Sequence, residues 1–212
     1  MVAGMAPTSG PELAAAVSNA GGFGTMGCAS LSPEGLRRTI RQCQSLLDPG
    51  RPMGVDLLLP KVGAGAKKTN KSYSADTLGQ IVAVMEEELR GGDLFVCAVG
   101  LPPTFVVERM HARGIIVMNM IGSPKHVKGC LAAGVDIICA QGGEGGGHTG
   151  SVSSLCLLPQ VVDMCRGTKL MVVGAGGIIN GRGVAAALAL GADGVSQPPI
   201  YLWTKQTRKG SL

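Results

Sequence analysis

Aromatic side chains are almost missing from this 212-residue chain: it has one Trp, two Tyr and three Phe, 3% of the sequence. Large rings therefore cannot be its main core filler, and Val, Ile, Leu, Met and Ala must take that place. No apolar stretch of about 18 residues occurs, and no cationic segment followed by an apolar one opens the chain. The sequence thus predicts a soluble cytoplasmic protein with no membrane contact. No CxxC pair is found among the seven cysteines, and Cys97, Cys139 and Cys165 sit in apolar runs, which points to reduced core thiols. Lys and Arg exceed Asp and Glu by 19 to 14, yet they are scattered singly or in pairs without interleaved aromatics. That pattern argues against a nucleic-acid partner. Histidine is scarce as well, and Glu144 and His148 have no further ligands at useful spacing, so no metal site is predicted.

What the chain has in excess is glycine, 34 residues, about twice the usual share. Six of the eleven residues of AQGGEGGGHTG, Ala140 to Gly150, are glycine, with His148 among them. Glycine is favoured where φ must be positive or where a ligand must touch backbone. This loop follows VDIICA, Val135 to Ala140, an apolar run of the kind that forms a strand buried on both faces. A second such place is VVGAGGIINGRGVAAALALGADGV, Val172 to Val195, where a strand runs into Gly176 and Gly177 before an alanine-rich helix from about Arg182. Free N–H groups at a turn and helix start of this kind suit a phosphate.

Strand-like runs recur at Phe23–Gly27, Met53–Leu59, Leu94–Val99, Gly114–Met120, Val135–Ala140 and Lys169–Ala175, with stubs at Val2–Gly4 and Asp193–Val195. Between them, helices are predicted to open at Ser32, Ser74, Pro102 and Ser123, and several close at glycine. Such βα repetition fits either a (β/α)₈ barrel or an open doubly wound sheet. Polar or glycine positions fall at the carboxyl ends of nearly all the strands, which favours the barrel. The basic loop Pro60–Tyr73 is expected at the same face, either as a substrate lid or as a solvated connection.

Together, AQGGEGGGHTG, GAGGIINGRGVAAALALGA, the opening MVAGMAPTSGPELAAAVSNAGGFGTMG, VDLLLPKVG and GIIVMNMIGSPKHV resemble the nitronate monooxygenases, formerly 2-nitropropane dioxygenases. The resemblance extends from Met1 to about Val195. It implies an FMN-dependent TIM barrel that oxidises alkyl nitronates with O₂ to carbonyl compounds and nitrite. It implies His148 as catalytic base, where an isolated loop histidine would otherwise be read as merely hydrogen-bonded. Imidazole suits the task because its ordinary pKa of about 6.5 lies near working pH. The flavin contacts implied are Ala3, Gly4 and Met5 at the ring edge, Gln141, Gly142 and Gly147 beside the ring, Asp56 and Asn119 below it, and Ala175, Gly176 and Gly177 at the phosphate. Asp56 has a plainer reading as a capping or loop carboxylate. His111 and His126 fall on predicted helices and are read as surface residues.

The tail departs from the family. Where a Gly-Thr-Arg-Phe turn is expected, the chain reads SQPPIYLWTKQTRKGSL, and Pro198 and Pro199 have no N–H to offer a phosphate. Residues 196–212 are expected to be a divergent, disordered tail on a barrel domain spanning 1–195, incomplete in its first and eighth strands. An FMN-dependent enoyl-acyl-carrier-protein reductase and a catalytically inactive remnant are the alternative readings.

Overall fold

The computed structural model of the chain describes residues 1–29, 31–59 and 75–199. Strands and helices alternate along it: α1 (Pro11–Asn19), β1 (Gly24–Gly27), α2 (Pro33–Leu46), β2 (Met53–Leu57), α3 (Ala75–Glu88), β3 (Leu94–Cys97) and α4 (Thr104–Ala112). Then follow β4 (Ile116–Ile121), α5 (Val127–Ala133), β5 (Ile137–Gln141), α6 (Ser154–Cys165), β6 (Met171–Ala175), α7 (Gly181–Ala189) and β7 (Gly194–Ser196). The predicted loop Pro60–Tyr73 and the tail from Ile200 lie outside the described residues.

The strands form one parallel sheet in sequence order, β1 to β7. Its two sides meet across Val2. The Val2 amide donates to the Phe23 carbonyl at 3.0 Å, the Ala3 amide to the Gln197 carbonyl at 2.8 Å, and the Gln197 amide to the Met1 carbonyl at 3.0 Å. Val2 and Gln197 make a single parallel bridge. The barrel is incomplete at the two strands expected: its first is reduced to that bridge and its eighth, β7, to three residues, although Ser196 and Gln197, expected in the tail, take part in β7 and in the bridge.

Strand alternation divides the core in two. Met26, Val55, Leu57, Phe95, Val117, Ile138 and Val172 pack outward against the helices. Leu94, Val96, Met118, Ile137, Cys139 and Val173 fill the barrel axis. Both faces of each strand are covered, which is why the strands read as unbroken apolar runs. Among the described residues Phe95 is the one aromatic with its side chain fully buried, and Met, Leu and Ile supply the other large core side chains, as the shortage of rings requires. Six of the seven thiols are buried and all seven are free, in line with the core role read for them.

Several helix boundaries follow the sequence signals. Ser32 caps α2 by accepting from the Gly35 amide at 3.1 Å, and α5 ends on Gly134 at φ 77°. Others differ, α5 among them, which starts at Val127 after a 3₁₀ turn at Pro124–His126. Helix α4 starts at Thr104 with Pro103 as its cap residue, because both prolines stay ahead of the first turn. Helix α6 carries no start signal used above, and Pro159 inside it hides its period.

A carboxylate stands immediately before β3, β5 and β7. Asp93, ahead of β3, accepts from the Met53 amide of β2 at 2.9 Å. Asp136, ahead of β5, accepts from Val117 of β4 at 2.8 Å, and Asp193, ahead of β7, accepts from Val172 of β6 at 2.7 Å. Each thereby satisfies an amide at the amino end of its neighbour strand. Asp93 is buried and takes a second amide, Arg90, at 2.8 Å. Asp93→Ala is expected to lower unfolding stability by about 1–3 kcal/mol per stranded amide, read as an earlier urea midpoint. Asp93→Asn, which keeps one acceptor, should lose less.

Candidate active site

Two glycine-lined groups form the carboxyl face of the barrel. The first joins the chain start to β1 and β2. Asp56 alternates with Val55 and Leu57, which face the helices, so its carboxyl turns toward the axis. Gly4 lies directly on it: a Cβ at Gly4 would stand 2.3 Å from the Asp56 Cβ and 2.7 Å from Oδ2. The segment after Gly4 folds over β1, with the Met5 amide donating to the Ser9 hydroxyl and the Gly27 amide to the Ser9 carbonyl at 3.0 Å. Asp56 is buried, and its carboxyl has no hydrogen bond among the described residues. Burial alone pushes its pKa up to about 8, so the group is mainly protonated at neutral pH. Burial, and secondarily Asp56, also pushes the Cys139 thiol on the axis up to about 12.

The second group welds the two glycine motifs together. The Gly142 amide donates to the Ala175 carbonyl at 3.0 Å, and the Gly143 amide to Val152 at 2.8 Å. Gly176 and Gly177 both take positive φ, 93° and 68°, which a side chain rarely tolerates. A Cβ on Gly176 would meet the Gly142 amide nitrogen at 2.8 Å. The Gln141 side chain folds over its own loop and donates to the Gly146 carbonyl at 3.1 Å. Gly147, at φ 80°, has open space beside it, and His148 next to it is exposed.

Two expectations need correction in detail. Asn119 is buried but faces outward: Met118 lines the axis, whereas the Asn119 side-chain nitrogen lies 3.4 Å from the Cys130 sulfur of α5. One step of strand alternation separates it from the mouth. The start of α7 does not leave its first amides open either, because the Asn180 side chain accepts from Arg182 and Gly183 at 3.0 and 3.2 Å. Amides of this turn that make no hydrogen bond among the described residues include those of Gly177 and Ile178. Across the mouth the Ala3 and Gln197 backbone amides are used in ring closure, so with Pro198 and Pro199 that wall has no free backbone donor from 197 to 199. His111 and His126 are exposed, on α4 and on the 3₁₀ turn Pro124–His126, and His111 pairs with Asp136 at 2.9 Å. No group of metal-binding residues occurs among the described residues, and none of their helices is long and apolar enough to cross a membrane.

The family model for nitronate monooxygenase matches residues 1–209. The chain belongs to the nitronate monooxygenase family. Similar family proteins include a "Probable nitronate monooxygenase" of Staphylococcus saprophyticus, 31% identical over 99% of this chain and 66% of its own. A nitroalkane oxidase of Streptomyces ansochromogenes superposes with TM-score 0.81 at 28% identity, over 95% of this chain and 65% of that one. FabK of Thermotoga maritima does so with TM-score 0.78 at 32% identity, over 95% and 58%. The chain thus spans between about half and two thirds of the length of the curated relatives it matches.

Proposed function

We propose that the mouth of this barrel binds FMN and that the protein oxidises alkyl nitronates, or the parent nitroalkanes, with O₂ to a carbonyl compound and nitrite. The observation that supports the reading is the contact between the His148 loop and the Gly176–Gly177 turn, which brings the two glycine motifs together on one face. The residues present fit the group. Asp56, buried, turned toward the axis and without a hydrogen bond among the described residues, is a group that a polar ring edge would satisfy, and Gly147, with open space beside it, leaves backbone for a flat ring to touch. The Gly177 and Ile178 amides would hold the phosphate from one side.

Bound FMN supplies the electron acceptance from the nitronate and the reaction with O₂. The chain's own part is proton handling and placement. His148, exposed on its loop, takes the α-proton of a neutral nitroalkane at an imidazole nitrogen and passes it to solvent. Asp56, protonated, presents an O–H from the axis, so no second negative charge opposes the anionic substrate.

The test begins with the purified protein. A flavin absorbance that survives gel filtration, or saturable uptake of added FMN, together with nitrite release from a nitroalkane, is expected. No flavin bound and none taken up on titration rules the reading out. Consumption of NADPH with an enoyl thioester, in place of nitrite release, would replace it. Gly176→Ala is expected to weaken FMN binding by at least about tenfold, since strain at positive φ and the crowding of Gly142 together exceed about 1.4 kcal/mol. Flavin-fluorescence titration measures it.

A further inference from the structure

Glu144 takes no part in the steps above. Its two carboxylate oxygens accept from the Ser154 amide at 3.1 and 2.9 Å, and Oε2 lies 2.8 Å from the Ser154 hydroxyl. Ser154 is the first residue of α6, so the negative charge sits where the helix dipole favours it. The same hydroxyl lies 2.8 Å from the Gly176 carbonyl, and its single proton serves one acceptor or the other. Around this contact there is room for backbone only. A Cβ on Gly142 would stand 2.1 Å from the Ser154 hydroxyl and 2.4 Å from Glu144 Oε2, and one on Gly177 would reach the Glu144 Cβ at 3.2 Å. The loop bearing His148, the start of α6 and the Gly176–Gly177 turn therefore converge on one carboxylate.

We propose that Glu144 is a positioning residue, a clamp that fixes the His148 loop against the Gly176–Gly177 turn through Ser154. Its effect on turnover rests on the FMN and His148 reading; the clamp itself does not. Hydrogen exchange on the flavin-free protein tests the clamp directly. The hydrogen-bonded amides of the loop, Gly142, Gly143 and Gly145, are expected to exchange about tenfold faster in Glu144→Gln, the effect of losing one charge-assisted hydrogen bond, with the amides of β2 to β4 unchanged. Ser154→Ala should reproduce the effect, Ser154→Thr should restore it, and the double variant should be no worse than Glu144→Gln alone. In the FMN-saturated protein, kcat on a neutral nitroalkane should fall while KM stays within about twofold, as expected for a displaced base. Unchanged loop exchange in Glu144→Gln, or additive losses in the double variant, overturns the clamp. If the wild type takes up no FMN, the functional reading fails while the exchange experiment still decides this one. Should Glu144→Gln not fold, Ser154→Ala and Ser154→Thr carry the same comparison.

Discussion

Replacing His148 by Asn should slow turnover of neutral nitroalkanes by about 10²–10⁴-fold, the usual contribution of a general base, and slow turnover of preformed nitronates far less. Asn keeps a polar side chain of similar reach but cannot take up a proton at neutral pH. Because His148 is exposed and packs into no core cluster, the variant should melt with the wild type, so the loss is chemical rather than structural. The ratio between the two substrates is the decisive number. A nitronate has already lost its α-proton, so equal losses on both would remove proton abstraction from the role of His148 and leave only orientation.

The largest effect on stability is expected at Asp56. Its folded pKa, about 8, lies above the ordinary value of 3.8, so between these pH values the folded state holds a proton that the unfolded chain releases. Stability therefore falls as pH rises from about 4 to about 8 and levels off beyond, the reverse of a salt-bridged carboxylate. At about 1.4 kcal/mol per pKa unit the accumulated loss is several kcal/mol. Asp56→Asn removes the titration and keeps the shape. The variant should match the wild type near pH 4 and melt well above it at pH 8, measured on flavin-free protein. A wild-type curve flat across this window would mean that the carboxyl is solvated after all. Where FMN binds, the gap should narrow, since the ring edge would give Asp56 the partner it lacks.

Much of this architecture was legible in advance because a strand covered on both faces leaves a plain mark, as at VDIICA and KLMVVGA. The same coverage hides phase. Within GIIVMNM the apolar residues on both sides of Asn119 read as core, so nothing in composition says that Met118 faces the axis while Asn119 faces α5. Counting in twos from Ile116 would have shown it. Helix α6 was missed for a different reason: Pro159 breaks the pattern of Leu157, Leu158, Val161 and Cys165 that would otherwise announce a buried stripe. Missing α6 meant missing Ser154, and with it the role of Glu144, whose partner lies ten residues on. The use of the Ala3 and Gln197 amides in ring closure is set by a pairing between opposite ends of the described chain, which local pattern cannot reveal.

The three aspartates that stand before β3, β5 and β7 have a bearing on how such a barrel is built up. Through its carboxylate each joins two strands separated by a single helical crossover, 40, 19 and 21 residues apart, while the Asp93 and Asp136 carbonyls accept from Ile116 of β4 and Met171 of β6. The side-chain contact that aligns each pair is thus encoded inside one contiguous stretch of sequence. At Asp93 and Asp136 the main chain of the same residue carries the alignment on to the next pair, so one residue type at one place in the repeat ties strands both within a pair and between pairs.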